Sequence, residues 1–299
     1  MRLLVIGGSG LVGSHLLQEA DARGHDALGT YRERPEAGLV RLDAADLDEF
    51  TDIVGRHRPD CVVHAAGWTW VDGCESDPAR AMEENCHQPV RLARICEERR
   101  IRFAYFSTSY IFDGRDGPYD ESAKPNPINA YARSKWEAEQ RLIEATDGKV
   151  LLPRVICVFG VEARRKNFAC QVVDAMKAGK PMVLPSDQLG NPTWAGDIAA
   201  ATLGLIATGA SGPWHLGGDN PDCSRLDWAR QLVAGFQHSG IIAQAGFQFS
   251  TKPTHVLGQK ALRPLHAGMT SARLPNPCFP PSDFVSLCRT IAAEQSRDC

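Results

Sequence analysis

The sequence predicts an α/β fold: a doubly wound parallel sheet with a smaller, irregular C-terminal α/β lobe. Three observations carry this. Apolar, β-rich runs alternate with helix-patterned stretches from the first residues onward. A glycine-rich turn joins the first run to the first helix. From about residue 158 prolines and glycines become frequent, strand-like runs shorten and the alternation fades.

Taken in order, strands are expected at 2–6, 26–31, 60–65, 102–107 and 150–157, with a short third strand before Leu42-Asp43-Ala44. Helices are expected at about 11–23, 46–57, 78–99 and 129–146, from apolar periodicity and from charge on the intervening positions. Asp77-Pro78 reads as a helix start, a capping carboxylate followed by proline at the first helical position. Such alternation makes parallel strands with helices on both faces. A chain of 299 residues holds one such domain with about 100 residues to spare.

The composition narrows the function classes. At 43% hydrophobic and 23% charged, the chain has the profile of a soluble globular protein. A net charge of -3 without a basic stripe argues against nucleic acid and anionic membranes as partners. No apolar stretch approaches the roughly 18 residues needed to span a bilayer. No signal-peptide pattern opens the sequence, so a cytoplasmic location is expected. The ten cysteines (Cys61, Cys74, Cys86, Cys96, Cys157, Cys170, Cys223, Cys278, Cys288 and Cys299) contain no C-x-x-C pair and no close Cys/His cluster. They are read as small hydrophobes, with neither a disulfide framework nor a metal site.

The turn Gly7-Gly-Ser-Gly-Leu-Val-Gly13 satisfies two glycine spacings, Gly7/Gly10/Gly13 and Gly8/Gly10/Gly13. Residues without Cβ let the chain turn tightly and bring the backbone close to a pyrophosphate. The anion then meets the free N–H groups of the helix that starts near Leu11 and Val12. This is a Rossmann-type dinucleotide site. The second strand selects the cofactor. It ends Thr30-Tyr31-Arg32 without the acid that would bind an adenosine ribose, and a guanidinium at Arg32 suits a 2′-phosphate. NADPH is therefore expected, with NADH as the alternative. Asp43 and Ala44 are placed beside the adenine.

Tyr131-Ala-Arg-Ser-Lys135 is Y-x-x-x-K within a helix, which puts both side chains on one face. A phenol with an ordinary pKa near 10 is a poor acid–base group at neutral pH, and a nearby ammonium favours its phenolate. The strand upstream ends Ser107-Thr-Ser-Tyr-Ile-Phe-Asp-Gly114, placing hydroxyls at the C-terminal edge of the sheet. Thr108 is the choice for polarising a substrate carbonyl, with Ser107 and Ser109 left open because strand alternation does not fix the facing.

Together these motifs resemble the extended short-chain dehydrogenase/reductase superfamily, and within it the dTDP-4-dehydrorhamnose reductase (RmlD-like) family. Ser107–Gly114 is similar to its S-T-D-Y-V-F-x-G, with Ser109 where the family usually has Asp. Ala65-Ala-Gly-Trp-Thr-Trp-Val-Asp-Gly-Cys-Glu75 resembles its A-A-x-T-x-V-D-x-x-E, with Trp68 and Trp70 in a loop that is usually less bulky. Ser186–Thr193 followed by Asp197-Ile198, Trp214–Gly218 and Arg263-Pro264 also resemble family patterns.

The resemblance implies an NADPH-dependent reductase of the keto group of a nucleotide-linked deoxy sugar, a small-molecule partner. Thr108, Tyr131 and Lys135 would be catalytic. Ala65, Ala66, Gly67 and Val155 would join Gly7, Gly10, Leu11, Val12, Tyr31, Arg32, Asp43, Ala44, Tyr131 and Lys135 around the cofactor. Val71, Ser109, Asn167, Gln188 and Arg263 would contact substrate. Residues 1–157 would form the NAD(P)-binding domain, with a return segment near 194–208, and 158–299 mainly the substrate lobe. A homodimer is possible under this reading. The alternatives are a non-catalytic subunit similar to the methionine adenosyltransferase β-subunit, and a sugar-nucleotide epimerase. Ser109 in place of Asp argues against a dehydratase.

Overall fold

The structure is a computed structural model, and it describes residues 1–240, 247–274 and 284–293. Cys278 and Cys299 lie outside the described residues. The order of elements is β1 (Arg2–Ile6), α1 (Leu11–Ala22), β2 (Asp26–Tyr31), β3 (Leu39–Arg41), α2 (Leu47–His57), β4 (Cys61–His64), α3 (Val71–Ser76), α4 (Pro78–Met82), a π-helical turn (Glu83–His87) and α5 (Gln88–Glu98). There follow β5 (Arg102–Tyr105), β6 (Ser107–Thr108), α6 (Ala130–Ala145), β7 (Leu151–Val155), β8 (Val158–Phe159), α7 (Phe168–Lys177), β9 (Met182–Pro185), β10 (Thr193–Trp194), α8 (Ala195–Ala207), β11 (Gly212–Leu216), α9 (Arg225–His238), β12 (Phe249–Lys252) and α10 (Phe284–Ala293).

The main sheet is parallel throughout, in the order β11-β7-β5-β4-β1-β2-β3, with β6 beside β7. The chain turns one way from β1 to β2 and later the other way to β4, which opens a crevice at the C-terminal ends of β1 and β4. Strand register aligns that edge: Ile6 pairs with His64, His64 with Tyr105, and Thr108 with Val155. Helices cover both faces. One apolar layer joins Leu4, Ile6, Val62 and Tyr105 to Phe50, Leu92 and Leu142, and the other joins Leu3, Val5 and Val63 to Leu16, Ile198 and Leu203.

Local chemistry sets the helix boundaries. Asp46 caps α2 by accepting from Glu49 N at 2.9 Å, and Asp77 caps α4 by accepting from Arg80 N at 3.0 Å. Asn129 caps α6 through Ala132 N at 2.8 Å, while its amide donates to Leu262 O at 2.9 Å. That second bond ties the start of α6 to the C-terminal part of the chain.

Two features depart from the sequence reading. The helix expected over 78–99 carries a π-helical turn, whose extra residue per turn is invisible to a 3.6-residue pattern. The strand expected over 102–107 breaks at Phe106, where the edge shifts from β4 to β7. The expected return near 194–208 is α8, which packs on α1, and the chain then adds β11 to the main sheet. A second core lies apart from the sheet, built by Phe159, Val172, Met176, Leu184, Trp228, Leu232, Phe236 and Ile291.

Candidate active site

The crevice begins at the glycine turn. Gly10 N donates to Gly7 O at 2.9 Å, so Gly7, Gly10 and Gly13 form the working set. Gly7 has φ +83°, and a Cβ there would lie 2.8 Å from Ala66 N. A Cβ on Gly13 would stand 2.1 Å from Gly7 O. Gly8, from the other spacing, packs against Gly29 instead. Thr30, buried at the end of β2, accepts from Gly7 N at 3.2 Å and holds the turn against that strand. No side chain caps α1, whose N-cap is Gly10, so its first N–H groups face the crevice. A helix N-terminus above a turn that excludes side chains suits a dinucleotide pyrophosphate. Tyr31, Asp43 and Ala44 stand at the ends of β2 and β3 beside this cradle, Asp43 accepting from Ala45 N at 3.0 Å.

Arg32 is engaged differently from the sequence reading. Its guanidinium pairs with Glu33 at 3.1 Å and Glu84 at 3.2 Å. A 2′-phosphate would have to share this guanidinium with two carboxylates.

On the other side of β1, the loop after β4 is held by a residue the sequence did not single out. Asn85, in the π-helical turn and fully buried, accepts from Trp68 N at 2.8 Å and donates to Trp68 O and Ser134 Oγ, each at 3.1 Å. Tyr105 OH donates to Asn85 O at 2.5 Å. This frame sets Ala66 against Gly7 and Gly67 against Lys135. Trp68 and Trp70 cover Gly73 of α3, and Arg80 stacks over Trp68 at 4.3 Å. An Asn with no motif around it gives no sequence signal; its role follows from the π-helical turn.

The hydroxyl strand resolves cleanly. Ser107 Oγ donates to the buried Glu139 carboxylate, which also takes the Arg154 guanidinium at 2.6 Å. Thr108 Oγ1 accepts from Tyr110 N at 3.2 Å and interacts with the Tyr131 phenol. Ser109 is fully buried, and its Oγ has no partner among the described residues. Thr108 is thus the hydroxyl that faces Tyr131.

Burial pushes the Tyr131 phenol well above its ordinary pKa, while Thr108 opposes the shift. Burial moves the Lys135 amine the opposite way, down to about 7, with Glu139 working against it. Lys135 Nζ donates to Phe106 O at 2.9 Å and lies 4.3 Å over the Tyr105 ring. The sequence reading had Lys135 lowering the Tyr131 pKa. Here both groups share a helix face, but the amine is directed at a strand carbonyl, and desolvation dominates the phenol. His64, buried beside Lys135, is driven down to about 3 by burial and then by that lysine, so its imidazole is neutral.

The residues expected around substrate are split. Val71 packs with Trp68, Tyr110 and Tyr131. Arg263 pairs with Asp72 at 3.0 Å and donates to Ala261 O at 2.9 Å. Gln188 donates to Thr254 Oγ1 at 3.0 Å and lines a cavity with Tyr110, Cys157, Ser224, Arg225 and Trp228. Asn167 is the N-cap of α7: it accepts from Cys170 N at 3.3 Å and donates to Gly160 O at 2.9 Å. Both ends of its amide are taken by the helix start and its loop. Among the described residues no group of His, Cys, Asp and Glu could hold a metal, and no helix is long and apolar enough to cross a membrane.

Comparison with known proteins agrees with this geometry. The family model described as RmlD substrate binding domain matches residues 1–292. A dTDP-4-keto-6-deoxy-D-glucose reductase from Streptomyces niveus is 33% identical over 72% of this chain and 72% of its own length. A methionine adenosyltransferase 2 subunit beta from Danio rerio is 31% identical over 91% of this chain and 84% of its own. Among solved structures, a hypothetical dTDP-4-dehydrorhamnose reductase from Sulfolobus tokodaii superposes with a TM-score of 0.82 at 27% identity, covering 95% of this chain and 99% of that one.

Proposed function

The chain belongs to the RmlD substrate-binding-domain family, and on that premise we propose that it is an NADPH-dependent reductase of the keto group of a nucleotide-linked deoxy sugar. The observation that carries this reading is the meeting of Thr108, Tyr131 and Lys135 beside a glycine cradle that leaves no room for side chains. When bound, NADPH supplies the hydride. The cradle at Gly7, Gly10 and Gly13 would hold its pyrophosphate, with Ala65 to Gly67 and Val155 along its path.

Thr108 would donate a hydrogen bond to the sugar carbonyl oxygen and so favour the developing negative charge. Tyr131 would give that oxygen its phenolic proton. Burial keeps that phenol protonated in the free protein, so giving up the proton requires a positive charge nearby to stabilise the phenolate. Lys135, held by Phe106 O, would bond the nicotinamide ribose and bring its positive charge to the reacting end of the crevice. The dividing line near residue 157 then separates cofactor from substrate functions, with α8 and β11 as the return into the first unit.

The methionine adenosyltransferase relative gives a second reading, a regulatory subunit on the same scaffold. One comparison separates the two. Purified protein given NADPH and a panel of nucleotide-linked 4-keto sugars should consume NADPH, and Tyr131→Phe should lower turnover by ~10²-fold or more while leaving the NADPH Kd within about twofold. Full turnover in Tyr131→Phe would remove the mechanism. No turnover in the unaltered protein, with NADPH bound, would favour the regulatory reading.

A further inference from the structure

The cavity lined by Gln188 also holds side chains not assigned above. It lies past Tyr110, whose ring meets Tyr131 edge-on at 6.2 Å, and is walled by Cys157, Gln188, Ser224, Arg225, Trp228 and Pro264. Arg225 is the one arginine or lysine on its wall. Among the described residues its ionisable neighbours are the Cys157 and Cys223 thiols and the Tyr110 phenol, with no carboxylate among them. Nearby acids are occupied elsewhere: Asp72 with Arg263 at 3.0 Å, Asp222 with His266 at 2.8 Å, and Asp227 with Ser224 Oγ at 2.6 Å. Arg225 instead stacks over the Phe168 ring at 5.2 Å, which steadies the guanidinium without neutralising it.

A second group points the same way. Trp228, one helical turn further along α9 and 5% exposed, also lines the cavity. Its indole Nε1 has no hydrogen-bond partner among the described residues. Positions i and i+3 share a helix face, so the wall offers a cation and an N–H donor together, near the positive end of a fourteen-residue helix. Buried donors are normally matched by acceptors. A buried indole N–H without an acceptor among the described residues, beside a half-buried guanidinium, calls for a ligand rich in acceptor oxygens.

We propose that Arg225 and Trp228 bind the diphosphate of the nucleotide-linked substrate, and that Arg225 rather than Arg263 is its principal cationic contact. The assignment rests on the reductase reading for the identity of the substrate. A planar guanidinium matches two phosphate oxygens at once. With the diphosphate at Arg225, the attached sugar extends past Tyr110 toward Thr108 and Tyr131.

Calorimetric titration of the full-length protein with thymidine diphosphate, and separately with thymidine, tests this without turnover. Arg225→Gln, which keeps much of the side-chain stem, should weaken thymidine diphosphate at least ~10-fold and leave thymidine within about twofold. Arg225→Lys should fall between, and Trp228→Phe should cost several-fold. NADPH affinity and melting temperature serve as controls for folding. In steady state Arg225→Gln should raise KM for the sugar nucleotide far more than it lowers kcat. Diphosphate affinity unchanged in a folded Arg225→Gln, or no diphosphate binding by the unaltered protein, overturns the proposal. Diphosphate held through Arg225 without any keto-sugar reduction would instead sink the reductase reading and leave the anion site standing.

Discussion

The two walls of the crevice are built by different means. The cofactor wall is made of backbone: Gly7, Gly10 and Gly13 lie within seven residues, and each works by lacking a side chain. The wall proposed for the substrate is made of side chains brought together from Tyr110, Cys157, Gln188, Arg225 and Pro264, across more than half the chain. A backbone wall is a local demand on residue type. A side-chain wall depends on where distant segments pack. The first should break at single glycines, and the second should erode one contact at a time.

The largest effect is expected where the two walls are joined. Glu139 on α6 is fully buried against Arg154 on β7, with Ser107 on β6 as a further donor. Breaking a buried pair by neutralising one partner leaves an uncompensated charge and costs about 3–5 kcal/mol. Glu139→Gln should therefore lower the denaturant midpoint sharply, because α6 carries Tyr131 and Lys135 while β6 carries Thr108. An unchanged midpoint would mean that the pair does not hold the walls together.

The next effect is confined to one wall. Gly13→Ala puts a methyl group 2.1 Å from Gly7 O, closer than any real contact allows. The turn must open, and NADPH affinity should fall by ~10²-fold or more, since the helix N-terminus can no longer meet the pyrophosphate. Thymidine diphosphate binding at Arg225 should stay within about threefold. Equal losses of both ligands would show that the walls are not independent.

This contrast also explains what the sequence made legible. The alternation of strands and helices, the glycine turn and the Tyr131/Lys135 face follow from short-range patterns, and the structure has them where they were expected. Thr108 was separable from Ser107 only once Glu139 was seen to take the Ser107 hydroxyl. Asn85 depends on a π-helical turn inside a stretch that reads as ordinary helix. Arg263 stood beside a recognisable proline, yet Asp72 takes its charge; Arg225 has no motif, and that it has no counter-ion among the described residues appears only in three dimensions. Asn167, expected at the substrate, is the N-cap of α7, a role that its place before an apolar helix already suggests.

The smallest effect lies at the return between the walls. Asp197, in the first turn of α8, has a buried Oδ2 without a partner among the described residues. Burial alone raises its carboxyl from 3.8 to about 6. Between those two values the folded protein keeps a proton that the unfolded chain has released, so stability falls as pH rises from about 4 to 6 and the full penalty persists above. Asp197→Asn removes the charge while keeping the shape. At pH 8 it should stabilise the protein by about 1–2 kcal/mol, allowing for the solvent that reaches a partly exposed carboxylate. At pH 4 the gain should vanish, because the unaltered aspartic acid is then already neutral in the folded state. Melting curves of both proteins at the two pH values read this directly. A gain of equal size at both would trace the effect to packing or helix propensity instead of charge. A loss at pH 8 would mean that the carboxylate is matched, with Asp197 supporting the junction it otherwise weakens.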